Sequence, residues 1–180
     1  IVTPRPPDAA DLMQKRLFED RYCMFFDATR REAPRTPEEY LAAEHVTVLY
    51  EPRRRLDIDE HLAEQGVLRR FAVQVPGFSG IGPFVRGTAW LATLPSLLQH
   101  QMLQGLATAP VPFACPPMPM YMVWHLRQHD DPLHRWLRAE LDAVGVAGGE
   151  GQRHKGFQRV IIRRANGVVV GAENTLKVKF

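Results

Sequence analysis

Short apolar runs separated by proline, glycine or charged stretches make up this chain, and their spacing switches repeatedly between a period of two and one near 3.6. Ile1-Val2-Thr3 has the character of a strand end, closed by the prolines at Pro4, Pro6 and Pro7. Leu17 to Phe26 reads as one long strand, and its Tyr22-Cys23-Met24-Phe25-Phe26 end is apolar enough to be buried on both faces. Thr36-Pro37-Glu38-Glu39 is a helix start. Thr36 serves as cap, Pro37 suits the first turn, and Glu39 is placed to reach back to the cap amide. That helix ends near Ala43, and His45 to Tyr50 follows as a β-branched strand.

The same alternation continues. Asp57 opens a helix with Ile58 and Leu62 on one face and Gly66 as terminator. Phe71, Val73 and Val75 alternate as a strand, and Ser79 to Arg86 reads as a helix capped by Ser79. Trp90 to Leu94 forms a strand, and Pro95 opens a helix running to Met102. Leu106 to Thr108 and Met120 to Leu126 are further strands, divided by the proline-rich stretch Pro110–Pro119. Asp131 caps a last helix whose Leu133, Leu137 and Leu141 share a face and which Gly145 ends. Strands alternating with short helices define an α/β sheet layered by helices.

Composition changes this picture little, and charge changes it more. At 180 residues the chain suits one domain or somewhat more, and its 45% hydrophobic content is that of a globular protein. No apolar run approaches the ~18 residues that span a bilayer. With only Cys23 and Cys115, a disulfide framework is excluded and a reducing, cytoplasmic setting is expected. The net charge of +3 is unevenly spread. Residues 148–180 hold seven Lys/Arg against two Asp/Glu, a local +5, so residues 1–147 carry −2. The body therefore lacks the basic face of a nucleic-acid-binding domain.

One stretch carries more than its periodicity. Trp124-His125-Leu-Arg, followed by Asp131-Pro132-x-x-x-Trp136-Leu137-Arg138, resembles the end of the effector-binding domain of LysR-type transcriptional regulators. Upstream residues agree in order and spacing: Arg16-Leu17-Phe18, Arg21-Tyr22, Glu44-His45-Val46, Gly66, Arg69-Arg70, Val75-Pro76-x-Phe78 and Trp90-Leu-Ala-Thr-Leu-Pro95. The likeness covers about residues 1–144 and is strongest to the branch that senses small aromatic acids and plant-derived aromatics, including nodulation regulators.

The resemblance implies a type 2 periplasmic-binding-protein-like fold, with two α/β subdomains joined by crossover strands around a ligand cleft. On this mapping Leu17 to Val73 builds mostly the second subdomain, Val75 crosses back, and Gly80 to Val144 returns to the first. The winged helix-turn-helix that would bind DNA has no counterpart here. Nor have the opening strand-helix units, so the first subdomain is expected to be incomplete, and residues 1–145 alone to expose an unpaired strand edge. Residues 146–156 read as a linker. Residues 157–180, with Asn166-Gly167 as a two-residue turn, form either an added β-hairpin or a disordered tail.

The expected site follows from both readings. At Pro76-Gly77-Phe78-Ser79 a strand feeds a helix start, which presents free amides and favours an anion. The resemblance places this corner on the effector, with Gly77 standing where relatives carry a larger polar residue, often His or Asn. It also aims His45 at the ligand and brings Arg5 near a carboxylate-gripping position. Met118 and Met120 belong to a methionine-rich strand entry suited to an adaptable apolar wall. The bland readings are a capped turn, a strand histidine bonded to backbone, a surface arginine and core methionines.

No phosphate loop, nucleotide fingerprint or nucleophile signature appears. His125, His129 and His134 lie in a strand, turn and helix rather than on one helical face, so neither metal nor cofactor is expected. Arg53-Arg54-Arg55 reads as a solvated turn. The resulting expectation is a non-enzymatic effector-sensing domain of a homo-oligomeric regulator whose ligand shifts the subdomains, with DNA contacted through the absent domain. The alternative is a small α/β enzyme using His45.

Overall fold

A computed structural model of the chain describes residues 1–52 and 54–149, and at 145–149 only the helical backbone. The element order is β1 (Val2–Thr3), β2 (Leu12–Asp20), β3 (Tyr22–Phe26), α1 (Pro37–Ala42), β4 (Glu44–Tyr50), β5 (Arg54–Arg55), α2 (Asp57–Glu64), β6 (Arg70–Val75), a 3-10 turn (Phe78–Gly80) and α3 (Ile81–Val85). Then come β7 (Ala92–Pro95), a 3-10 segment (Ser96–His100), β8 (Ala107–Pro110), β9 (Met118–His125), a 3-10 turn (Leu126–Gln128) and α4 (Pro132–Gly149). The hairpin or tail at 157–180 and most of the 146–156 linker lie outside the described residues.

The chain forms two compact units. One comprises Ile1–Glu19 with Pro119 onward, and the other Asp20–Met118. The chain thus leaves the first unit at the end of β2 and re-enters it at the start of β9. The expected return at Val75 is not what the structure shows. Both β7 and β8 pair antiparallel with β3, which holds residues 92–110 in the same sheet as residues 22–26.

In the Asp20–Met118 unit two three-stranded sheets, β7-β3-β8 and β5-β4-β6, are stitched by a parallel bridge between His45 and Leu91. The Val46 amide donates to the Leu91 carbonyl at 2.7 Å and the Leu91 amide to Glu44 at 2.9 Å. Central β3 buries Cys23, Met24, Phe25 and Phe26, as its unbroken apolar run requires. β4 and β6 run parallel, so both carboxyl ends lie at one edge; a bulge falls between His45 and Val46. The expected Leu17–Phe26 strand is in fact two strands broken at Arg21, and the first begins at Leu12.

Local signals explain most boundaries. The Glu39 amide donates to the Thr36 hydroxyl at 3.3 Å, as a cap should, but the Glu39 carboxylate accepts from Arg35 N at 2.7 Å rather than from the cap residue. Gly66, at φ 75°, ends α2 in the left-handed region that glycine enters without strain.

In the other unit β9 lies between β1 and β2, with Val2 opposite Met122 and Thr3 opposite Tyr121. The Trp124–Arg138 motif closes a clasp on this strand. Trp124 stacks on His129 at 6.2 Å with 13° between rings, and the Arg138 guanidinium sits 4.8 Å from the Trp124 ring. Arg138 also donates to the Gln128 and His129 carbonyls. His125 accepts from the Arg127 amide at 3.0 Å and faces Asp11 at 3.0 Å. His125 and His129 are thus held by these contacts, and among the described residues no group of three or more His, Cys, Asp or Glu is placed to hold a metal ion. Asp131 accepts from the His134 amide at 2.9 Å, the expected cap, while α4 runs past Gly145 to Gly149.

A buried polar network ties the elements of the Asp20–Met118 unit together. Arg69 pairs with Asp59, the two side chains 2% and 1% exposed. Asp59 also accepts from the Thr47 hydroxyl at 2.6 Å, Arg69 donates to the Tyr40 hydroxyl at 3.2 Å, and Tyr40 meets Thr93 at 2.7 Å. Removing one partner strands a desolvated charge. Arg69→Ala should therefore cost about 3–5 kcal/mol in urea unfolding, while Arg69→Met combined with Asp59→Leu recovers most of that loss. A single-variant cost near zero would show that the pair does not organise this unit.

Candidate functional site

The corner after β6 keeps its expected position but not its expected chemistry. Gly77 occupies the cap position with extended backbone (φ −174°, ψ 165°) and no side-chain capping bond. Ser79 is not the cap. It lies inside the 3-10 turn, exposed, and the Gly80 amide donates to the Gly77 carbonyl at 3.1 Å. The next helix, α3, has only five residues, too few for the aligned amides of an N-terminal anion site. At Gly80 a Cβ would stand 3.1 Å from Val75 Cβ, so a larger residue there would require Val75 to give by a few tenths of an ångström. At Gly77 a Cβ would meet no atom within 4 Å, so the corner has open space there and backbone that any residue accepts.

Phe78, the next residue, is buried, and the Tyr50 ring meets it edge to face at 6.3 Å and 83°. Arg54, which with Arg55 forms strand β5 rather than a turn, holds its guanidinium 5.9 Å from the Tyr50 ring centre. Burial pushes the Tyr50 hydroxyl above its usual pKa, opposed by Arg54 and aided by Asp57. Sequence reading misses Tyr50 and Arg54 because Tyr50 and Phe78 are far apart along the chain. The available signal is that β4 and β6, if parallel neighbours, must end side by side.

His45 does not meet the expectation of an imidazole open to ligand. It is fully buried, and Nε2 lies 3.0 Å from the Tyr40 carbonyl near the end of α1. Because a carbonyl only accepts, Nε2 carries the proton, and Nδ1 is left as a buried acceptor with no partner among the described residues. The Tyr40 ring packs 4.6 Å away. His45 opens β4 beside Phe71, whereas Val48 pairs with Val75, so His45 sits roughly 10 Å or more along the strand from the corner. The structure thus separates His45 from Gly77, Phe78 and Ser79.

Met118 and Met120 are enclosed, at 3% and 2% exposure, and Arg5 is exposed in the loop after β1 with its amide 3.3 Å from the Thr3 hydroxyl. Met120 and Arg5 belong to the unit containing β1, and His45, Gly77, Phe78, Ser79 and Met118 to the other.

Burial lowers the His45 pKa from 6.5 to about 4; the Tyr40 hydrogen bond opposes that shift, while Arg69 and Arg31 add to it. A folded-state pKa below the unfolded value favours the neutral ring. The stability it gives is present above pH 6.5 and is lost as pH falls toward 4. Relative to His45→Gln, the wild type should lose about 3 kcal/mol between pH 7 and pH 4, measured by urea unfolding across that range. Parallel pH profiles for the two proteins would show that His45 does not titrate as its burial requires.

The model of the family described as "LysR substrate binding domain" matches residues 1–145. NagR of Ralstonia sp, described as an HTH-type transcriptional activator, is 33% identical over 129 residues, which is 69% of this chain and 43% of NagR. Nodulation protein D 2 of Rhizobium tropici is 33% identical over 130 residues, 69% of this chain and 41% of that protein. The chain therefore spans about two fifths of these relatives' length. The regulatory domain of MexT from Pseudomonas aeruginosa superposes with a TM-score of 0.64 at 25% identity, over 79% of this chain and 70% of that one. The effector-binding domain of QuiR, solved with shikimate, gives 0.59 at 10% identity, over 82% and 72%. These neighbours have the periplasmic-binding-protein-like type 2 architecture, and this chain shares it.

Proposed function

This chain belongs to the LysR substrate-binding-domain family, and on that premise we propose that it is the effector-sensing part of a transcriptional regulator. Its effector is a small aromatic or carboxylated molecule, its DNA contacts are made through a winged helix-turn-helix domain outside this chain, and it works as a cytoplasmic homo-oligomer. The observation that carries this reading is the family match running through the β6 corner, where a Cβ at Gly77, next to the buried Phe78 in the chain, would meet open space. QuiR, similar in fold, was solved with shikimate, a small carboxylated ring. The site is binding rather than catalytic. Burial, aided by Asp20, pushes the Cys23 thiol up to about 12, far from a reactive thiolate, and His45 is committed to Tyr40.

Two measurements test the proposal. A panel of aromatic acids should contain one that raises stability by about 2.7 kcal/mol when present at ~100 times its Kd. Gly77→Trp should abolish that binding in calorimetry while leaving the melting transition in place, because the new side chain fills open space on unstrained backbone. An acid that binds the tryptophan variant as tightly as the wild type places the effector elsewhere.

A further inference from the structure

Ligands of open α/β sheets gather beyond the carboxyl ends of parallel strands, where no backbone bonds close the edge. In the Asp20–Met118 unit the parallel pair β4–β6 ends at Tyr50 and Val75. The segments leaving these two strands are therefore brought to one place. Beyond Val75 lies the corner Gly77-Phe78; beyond Tyr50 lies the tight return through Pro52 that sets Arg54 opposite Tyr50 in the β4–β5 ladder. The contacts here are Tyr50 edge-on to Phe78 at 6.3 Å and the Arg54 guanidinium 5.9 Å from the Tyr50 ring centre, while a Cβ at Gly77, next to Phe78 in the chain, would meet open space.

We propose that Arg54 and Tyr50 form the recognition pair of this corner, Arg54 binding the carboxylate of an aromatic acid whose ring occupies the space at Gly77. This rests on the effector-sensing reading above and adds the residues that choose the ligand class. A guanidinium offers a planar fork of donors that matches a carboxylate with two parallel hydrogen bonds. Arg54 is suited to that role, since it lies beside the Tyr50 ring and remains exposed. Tyr50, half-buried and held by Phe78, presents a fixed ring wall with a hydroxyl at its rim. The pair selects for both features at once: a flat ring alone lacks the charge, and a carboxylate alone leaves the space at Gly77 unfilled.

The test compares benzoate and cinnamate with their uncharged amides, benzamide and cinnamamide, by calorimetry on the whole chain. The wild type should bind the preferred acid at least about tenfold more tightly than its amide, which is the scale of a charge-assisted hydrogen bond. Arg54→Met should erase that preference with little change in amide affinity, and Arg54→Lys should restore part of it. Tyr50→Ala should weaken acid and amide alike. If Arg54→Met keeps the acid preference while Gly77→Trp removes binding, the corner stands and the role of Arg54 is overturned. If neither acid binds the wild type, the aromatic-acid reading of the corner falls and the recognition pair falls with it.

Discussion

The Asp59–Arg69 pair is the contact on which the rest of the Asp20–Met118 unit depends. Two charges removed from water are a liability unless their remaining donors and acceptors are satisfied. Here Asp59 brings in Thr47 from β4, and Arg69 brings in Tyr40 from α1, which in turn holds Thr93 of β7. One ion pair at the join between α2 and β6 thereby fixes a helix, two strands and a second helix to a common frame. An apolar core of Met24, Phe26, Tyr40, Ala43 and Leu91 packs around the same tyrosine, so the ring serves both the apolar core and the polar chain.

That frame gives the two ends of β4 different characters. It fastens His45 against Tyr40 at the amino end of β4, and it leaves Tyr50 at the carboxyl end, beside the Gly77 corner. A neutral, enclosed imidazole supports the end of α1; its protonation would add a cation near Arg69 and Arg31 in a desolvated place. The opposite end of the same strand has the contrary character. There Tyr50 and Phe78 form an aromatic pair, with the exposed Arg54 beside Tyr50.

Much of this is legible in the sequence, and the exceptions share a physical cause. The Thr36 and Asp131 caps, the Gly66 stop and the doubly buried β3 are local signals, and the structure has each of them where the sequence puts it. Leu12 to Arg16 gives no strand signal, because an edge strand in which Met13 to Arg16 are exposed lacks alternation, and only pairing with β9 makes it one. Gly145 looks like a terminator although the helix continues, since a glycine inside a helix costs only about 1 kcal/mol. Asp59 and Arg69 look like surface charges. Their burial is set by a contact across ten positions that no periodicity encodes.

The family likeness and the proposed ligand contacts reside in different residues. The Trp124–Arg138 motif is a clasp: indole, imidazole and guanidinium stack to pin the turn after β9 to α4, and Asp131 starts the helix. In this chain those residues serve the architecture itself. The corner has no such obligation. Gly77 stands on unstrained backbone in open space, so the fold accepts a larger residue there. A chain that keeps glycine gives up a side-chain donor and gains volume. On the proposal made above, a ligand at this corner is recognised by the residues carried at the ends of the parallel strands: Tyr50, Phe78 and Arg54.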